Sequence, residues 1–225
     1  MYVNFQDICD EIALLQRDLK RIVVAIDGMA GGGKSTLAQK IAEVLPGCEV
    51  IHMDDFYLHM SQRTPERMAQ IGGHMNYERF THQVAMPLWK GLVPVYQVFD
   101  CKTQRITRTV ECKKDANIYL IEGTYSTHPE IPDIYDLRIF VETDHDLRLA
   151  RILERVGNGA VYDRYLGEWI PREQAYFEAF MTKELCDLVY CGGAEEHFEW
   201  QVAETQNIEE ILPFIENTEN GEEES

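Results

Sequence analysis

Apolar residues recur along this chain at two spacings, and the alternation between them lays out a fold. In residues 4–19, Phe5, Ile8, Ile12, Leu15 and Leu19 fall at helical intervals and predict an amphipathic N-terminal helix within residues 1–20. Arg21-Ile22-Val23-Val24-Ala25-Ile26 is then a near-continuous apolar run, as a strand buried on both faces requires. Helical spacing returns at 36–45, with Leu37, Ile41, Val44 and Leu45 on one side, and 49–53 reads as a second strand. Residues 58–75 have no periodicity, several loop formers and the pair Gly72-Gly73, and so predict a long connection. Asn76 can cap a helix to about Lys90, with Phe80, Val84, Leu88 and Trp89 as apolar positions and Gly91 as its end.

Residues 94–99 and 104–110 predict two short strands around a Cys101-Lys102-Thr103 turn. Buried-type strands follow at 117–121 and 137–141. Thr143 and Asp146 have capping-box spacing for a helix to about Arg155. Val156-Gly157-Asn158-Gly159-Ala160 breaks that helix, another covers much of 162–181, and a last core strand is expected at 187–190. An amphipathic helix is expected at 207–215 and a disordered acidic tail at 217–225.

Strands alternating with helices call for a mainly parallel sheet with right-handed crossovers and helices on both faces. The expectation is one domain over residues 1–216: a three-layer α/β sandwich with five core strands, a small hairpin insertion and a lid break at 156–163. In such a sheet ligands sit beyond the carboxyl ends of the strands, which here carry Gly28, Asp54 and Glu122.

The first of these ends carries the chemistry. Gly28-Met29-Ala30-Gly31-Gly32-Gly33-Lys34-Ser35-Thr36 fits the phosphate-binding pattern G-x-x-x-x-G-K-[ST], and it has the strand before and helix after that the motif needs. The glycines let backbone N–H groups turn inward onto a phosphate, and the following helix adds its positive end. Lys34 is placed to reach the β- and γ-phosphates and Ser35 to offer its hydroxyl to Mg²⁺. The fold is therefore expected to be that of the P-loop NTPases.

Formal charge is −18, from 39 acids against 21 bases. Eleven glutamates lie between Gly192 and Ser225 with no Lys or Arg, so the remainder carries 28 acids (39 less 11) against 21 bases, or −7. A negative body argues against nucleic-acid binding, which needs a basic footprint. No apolar run is long enough to span a bilayer, and Met1 to Lys20 lacks a signal-type core. The six cysteines form no C-x-x-C, so no zinc site or redox dithiol is indicated. These features point to a cytoplasmic protein with neither a membrane nor a nucleic-acid partner, and they leave a homo-oligomer open.

With the phosphate loop, Asp54-Asp55-Phe56-Tyr57 and Ile121-Glu122-Gly123 in hand, the chain resembles the uridine kinase family. More broadly it resembles the P-loop kinases that include phosphoribulokinase, pantothenate kinase and nicotinamide riboside kinase. The likeness runs from about Ile22 to Val189 and includes Pro94-Val95-Tyr96, Phe99-Asp100, Thr143-Asp144, Arg148, Arg151 and Arg155 in the family's order. It implies ATP, or GTP, and Mg²⁺, with phosphoryl transfer to a small-molecule hydroxyl, most simply the 5′-hydroxyl of a nucleoside such as uridine or cytidine. Asp54 falls at the family's catalytic aspartate. Glu122 matches an acid that holds Mg²⁺ through water, with Ser35 and Asp54 completing the set. Arg151 and Arg155 match lid arginines at the transferring phosphate, Arg151 being the first choice for a catalytic role.

Tyr57, Tyr77, Tyr96 and Phe99 are candidates to stack on the acceptor. Glu78 stands where relatives place a ribose-binding aspartate. The stretch after Tyr96 lacks the histidine that helps uridine kinases read the pyrimidine, and Gly72-Gly73-His74 is the candidate substitute. These departures keep open a kinase for another hydroxyl compound, such as pantothenate, a sugar phosphate or nicotinamide riboside. A nucleotide-switch protein is the reading from another class, disfavoured because the chain has no N-K-x-D. Removing the residues after Asn217 is expected to leave acceptor-dependent ADP release at the full-length rate.

Overall fold

The structure, a computed structural model, describes residues 1–193. The helix expected at 207–215 and the tail at 217–225 lie outside the described residues. Met1–Gly192 packs as one compact unit. In chain order it contains β1 (Tyr2–Val3), α1 (Phe5–Leu15), β2 (Ile22–Gly28), α2 (Lys34–Val44) and β3 (Cys48–His52). The long connection carries α3 (Pro65–Met68) and leads to α4 (Tyr77–Phe80) and α5 (Met86–Trp89), joined by a π turn at Thr81–Ala85. The hairpin is β4 (Val95–Asp100) with β5 (Arg105–Glu111). Then come β6 (Ile118–Glu122), β7 (Leu137–Glu142), α6 (His145–Val156), α7 (Ala160–Arg164), α8 (Ile170–Phe180), α9 (Thr182–Leu185) and β8 (Leu188–Cys191).

The sheet has the order β1-β8-β7-β2-β6-β3, and every pairing in it is parallel. The α/β class is as expected, with six strands in place of five. The extra strand is two residues long, too short to carry a periodic signal, and pairs Tyr2 with Val189 and Val3 with Tyr190. Central β2 is buried along its whole length, and alternate side chains feed two cores. Ile22, Val24 and Ile26 join α1 and α2 through Ile8, Ile12, Leu37 and Ile41. Val23 faces the other way, into a cluster with Phe56, Phe80, Tyr119, Ile121 and Tyr176.

Local chemistry moved several boundaries. The first helix stops at Leu15 rather than 19, and Leu19 is left exposed. Its start is fixed by a capping box in which the Asn4 side chain accepts from the Asp7 amide and Asp7 accepts from the Asn4 amide. At α6 the cap is Asp144, accepting from the amides of Asp146 and Leu147, while the Thr143 hydroxyl donates to the Gly32 carbonyl. The segments before α5 and α8 share one device. Each passes through a π turn just ahead of a helix with proline in its first turn, Pro87 and Pro171. A proline ring displaces the carbonyl of the preceding turn and removes a donor, and the wider turn accommodates both.

One buried group carries a pH consequence. His128 stacks on Tyr77 at 4.3 Å and packs edge-on against Phe180 at 5.1 Å. Its Nε2–H donates to the Ile71 carbonyl at 3.2 Å, and its Nδ1 accepts from the Glu130 amide at 3.2 Å. Burial holds its pKa down to about 4, and burial also holds His74 at about 4. Unfolded, both titrate near 6.5, so the unfolded chain takes up protons first as pH falls. The stability these two rings contribute is therefore full above about pH 6.5 and is lost between there and about pH 4. His128 alone accounts for up to about 3 kcal/mol of that loss. Urea unfolding at pH 7 and pH 5 should show it, and His128→Phe should flatten the dependence while lowering stability at pH 7 by about 1 kcal/mol for the lost hydrogen bonds.

Candidate active site

The phosphate loop is held from outside by contacts that leave its inner face free. Asp27, the residue before it, is fully buried. Its carboxylate accepts from the amides of Gly28, Tyr125 and Thr127 and from the hydroxyls of Thr127 and Tyr176. Burial raises its pKa, opposed by the Thr127 and Gly28 donors and by nearby Lys34. Further along, the Ala30 amide donates to Glu173 on α8 at 2.8 Å, and the Gly31 carbonyl accepts from Arg151 at 3.3 Å. Gly28 has φ +143° and its Cα lies against the Val141 carbonyl, so a side chain there would strike the neighbouring strand. Gly33 has φ +96° and directly precedes Lys34, the first residue of α2.

Lys34 is buried, with its ammonium donating to the carbonyls of Gly28 at 2.7 Å and Met29 at 3.0 Å and to the Thr124 hydroxyl at 3.2 Å. The Ser35 hydroxyl donates to Glu122 Oε1 at 3.0 Å. His52 Nδ1 meets the same oxygen at 2.5 Å, and this contact raises the His52 pKa. Asp54 is exposed at the end of β3 and accepts from the Tyr57 hydroxyl at 3.0 Å.

A cleft of about 650 Å³ opens over the carboxyl ends of the strands. The loop from Ala30 to Thr36, Asp54, Tyr57, Glu122, Arg151 and Arg155 all border it. Gly28 and Met29 do not line it, and their carbonyls accept from Lys34. Four other expected residues do not line it. Tyr77 and Tyr96 sit in the hydrophobic core, and Phe99 is buried with its ring centroid 6.4 Å from that of Tyr57 in an edge-on arrangement. Glu78 pairs with Arg67 at 3.0 Å on the surface. In their place the wall includes Arg63, His74, Tyr125, Tyr165 and Arg172. His74 stacks on Tyr57 at 5.6 Å, joining the Gly72-Gly73-His74 segment to the DDFY element. Tyr165 comes from the π turn after α7, a setting that helical periodicity does not reveal.

The cleft is basic within an acidic chain. Lys34, Arg63, Arg151, Arg155, Arg164 and Arg172 face Asp54, Glu122, Glu168 and Glu173, six cations against four acids. That balance suits a polyanion. A serine hydroxyl and carboxylates are the hard oxygen donors Mg²⁺ prefers. Among the described residues no three His, Cys, Asp or Glu side chains cluster as a metal cage.

Residues 23–185 match the sequence profile of the Phosphoribulokinase / Uridine kinase family. The chain belongs to this family. It is 25% identical to a uridine kinase of Limosilactobacillus reuteri (strain DSM 20016) over 218 residues, which cover 88% of this chain and 95% of that protein. It is 28% identical to a uridine kinase of Chlamydia pneumoniae over 190 residues, covering 78% and 84%. A solved structure described as a possible uridine kinase from Bacillus stearothermophilus superposes with a TM-score of 0.61 at 21% identity, covering 82% of this chain and 98% of that one. A protein provisionally described as a fructose transport system kinase from Silicibacter sp. TM1040 gives 0.66 at 24% identity over 83% and 98%. Both superpositions speak to the fold.

As a Phosphoribulokinase / Uridine kinase family member the chain is an ATP-dependent, Mg²⁺-using kinase acting on a small molecule. No helix among the described residues is long and apolar enough to cross a membrane. Lys34→Ala should leave the thermal transition near that of the wild type and lower kcat by about 10²–10³-fold, as removal of one transition-state donor does. Calorimetry and a coupled ADP assay check the two halves.

Proposed function

We propose that this kinase transfers the γ-phosphoryl group of ATP, or of GTP, to the hydroxyl of a small metabolite, with a nucleoside 5′-hydroxyl as the first candidate. The observation that carries the reading is that Asp54 and the phosphate loop border a single cleft. The loop amides and Lys34 bind the triphosphate, and Lys34 exchanges its carbonyl partners for phosphate oxygens. Ser35 and Glu122, with Asp54 through water, would hold Mg²⁺, which neutralises charge on the β- and γ-oxygens. Tyr57 occupies Asp54 Oδ1, leaving Oδ2 to orient the acceptor hydroxyl and take its proton. Arg151 beside the loop and Arg155 in the last turn of α6 supply positive charge as the phosphoryl group separates.

A second acceptor class has its own support. Arg63 lines the cleft, donates its Nε–H to the Leu58 carbonyl at 3.0 Å, and has no carboxylate partner among the described residues. It and Arg172 both depress the pKa of His74, after burial, so two guanidinium groups flank the acceptor wall. An acceptor with a phosphate or carboxylate would use that charge, and a neutral nucleoside would not. The surface position of Glu78 removes the ribose-binding contact expected of it, which also favours this class.

An acceptor panel of nucleosides, sugar phosphates and hydroxy acids with ATP and Mg²⁺ tests the reading. ADP release that depends on one acceptor class supports it, and acceptor-independent hydrolysis contradicts it. Asp54→Asn should bind ATP as the wild type does while losing about 10²–10⁴-fold in transfer. If binding and transfer both survive the substitution, Asp54 is structural.

A further inference from the structure

Glu122 receives two donors on one oxygen. Ser35 and His52 both meet Oε1, at 3.0 and 2.5 Å, and among the described residues no donor reaches Oε2. The two donors arrive from different elements. Ser35 comes from the first turn of α2. His52 is the last residue of β3 and the register partner of Glu122 on adjacent β6, so the parallel ladder itself sets the two side chains next to one another. Glu122 borders the cleft and His52 does not. The imidazole side chain is half exposed and the carboxylate only 6% exposed, so His52 reaches Glu122 from outside the cleft lining.

We infer that His52 is a positioning residue: it fixes the Glu122 carboxylate so that the second oxygen is presented to the divalent cation carried by the nucleotide. The physical case is one of rotational freedom. A glutamate at a strand end has three side-chain torsions. Ser35 by itself is a poor anchor, since its hydroxyl is itself expected to face the cation. When the cation engages that hydroxyl, the contact from Ser35 to Oε1 must be rearranged, and His52 is then the one donor left on Oε1 that is not a cation ligand. A rigid second donor on a metal-binding carboxylate commonly carries about 10–100-fold in metal affinity. Histidine suits the place because its ring is rigid and Nδ1 lies close to the backbone, matching the short distance between adjacent strands.

Other assignments fit less well. Direct ligation by His52 would place the imidazole in the cleft, which it does not line. General-base work on the acceptor requires the same access. Asp54 and Asp55 lie close enough to favour the charged imidazole. Neither is hydrogen-bonded to it among the described residues, so Glu122 is the group His52 acts through.

This inference rests on the nucleotide-dependent reading above, and its test does not need turnover. Mn²⁺ is titrated into the full-length protein holding a non-hydrolysable ATP analogue, with no acceptor present, and bound Mn²⁺ is read by electron paramagnetic resonance. Nucleotide binding is measured in parallel in EDTA. His52→Ala should weaken Mn²⁺ binding by about 10-fold or more, with nucleotide affinity in EDTA unchanged. His52→Asn keeps a donor near the Nδ1 position and should restore most of the loss. Wild-type Mn²⁺ affinity in His52→Ala overturns the inference, as does an equal loss of nucleotide affinity in EDTA. If His52→Ala does not fold, His52→Phe, which has a ring and no donor, replaces it in the comparison. Failure of His52→Asn to exceed either variant overturns the role. Failure of the wild type to bind Mn²⁺ with nucleotide would instead sink the kinase reading itself.

Discussion

The buried Asp27 carboxylate is the joint on which this structure depends. It is the last residue but one of the central strand, and its five donors come from three places: the start of the phosphate loop, the segment after β6 and helix α8. A buried carboxylate is tolerable only when its lone pairs are filled, because desolvation otherwise costs several kcal/mol. Here the demand for donors works as a geometric constraint. The segment 123–127 must fold back over the end of β2, and Tyr176 must reach down from α8. Satisfying the charge therefore also brings Thr124 to Lys34 and Glu173 to Ala30.

The phosphate loop gains a particular preorganisation from this arrangement. Its glycines alone would be flexible, since glycine loses more conformational freedom on ordering than any other residue. Glu173, Thr143 and Arg151 bind the loop's outer polar groups, and Arg148 adds a longer contact to the Ala30 carbonyl. The entropy of ordering the loop is thus met during folding rather than at nucleotide binding, as preorganised anion sites require. Two of the anchors, Arg151 and Glu173, lie on α6 and α8, so the loop is tied to both helices at once.

Charge distribution separates binding from solubility. Eleven glutamates from Gly192 onward account for much of the −18 net charge, while the cleft concentrates arginines. Low-dielectric walls strengthen such a local field far beyond what net charge would suggest. A strongly acidic protein can therefore still present a basic cleft to a polyanion.

Periodicity in the sequence was enough to fix the alternating α/β plan, the buried central strand, the hairpin, and the loop Gly28–Thr36 with its lysine. These depend on local patterns: an apolar run bounded by glycines, or side chains at helical spacing. The convergence of Gly28, Asp54 and Glu122 followed as well, because parallel strands end at one edge. The two-residue strand β1 was invisible, since pairing with β8 rather than its own pattern makes it a strand. The lining of the cleft was only partly legible. Tyr57 and His74 stood in segments the sequence singled out, whereas Tyr77, Tyr96 and Phe99 look identical in sequence whether they face ligand or core. Which of these faces the cleft is decided by how α4 and β4 pack, and aromatic character does not encode that. His52 shows the same limit. Its place beside Glu122 comes from the register between β3 and β6, a relation between residues 70 positions apart that exists only once the sheet has formed.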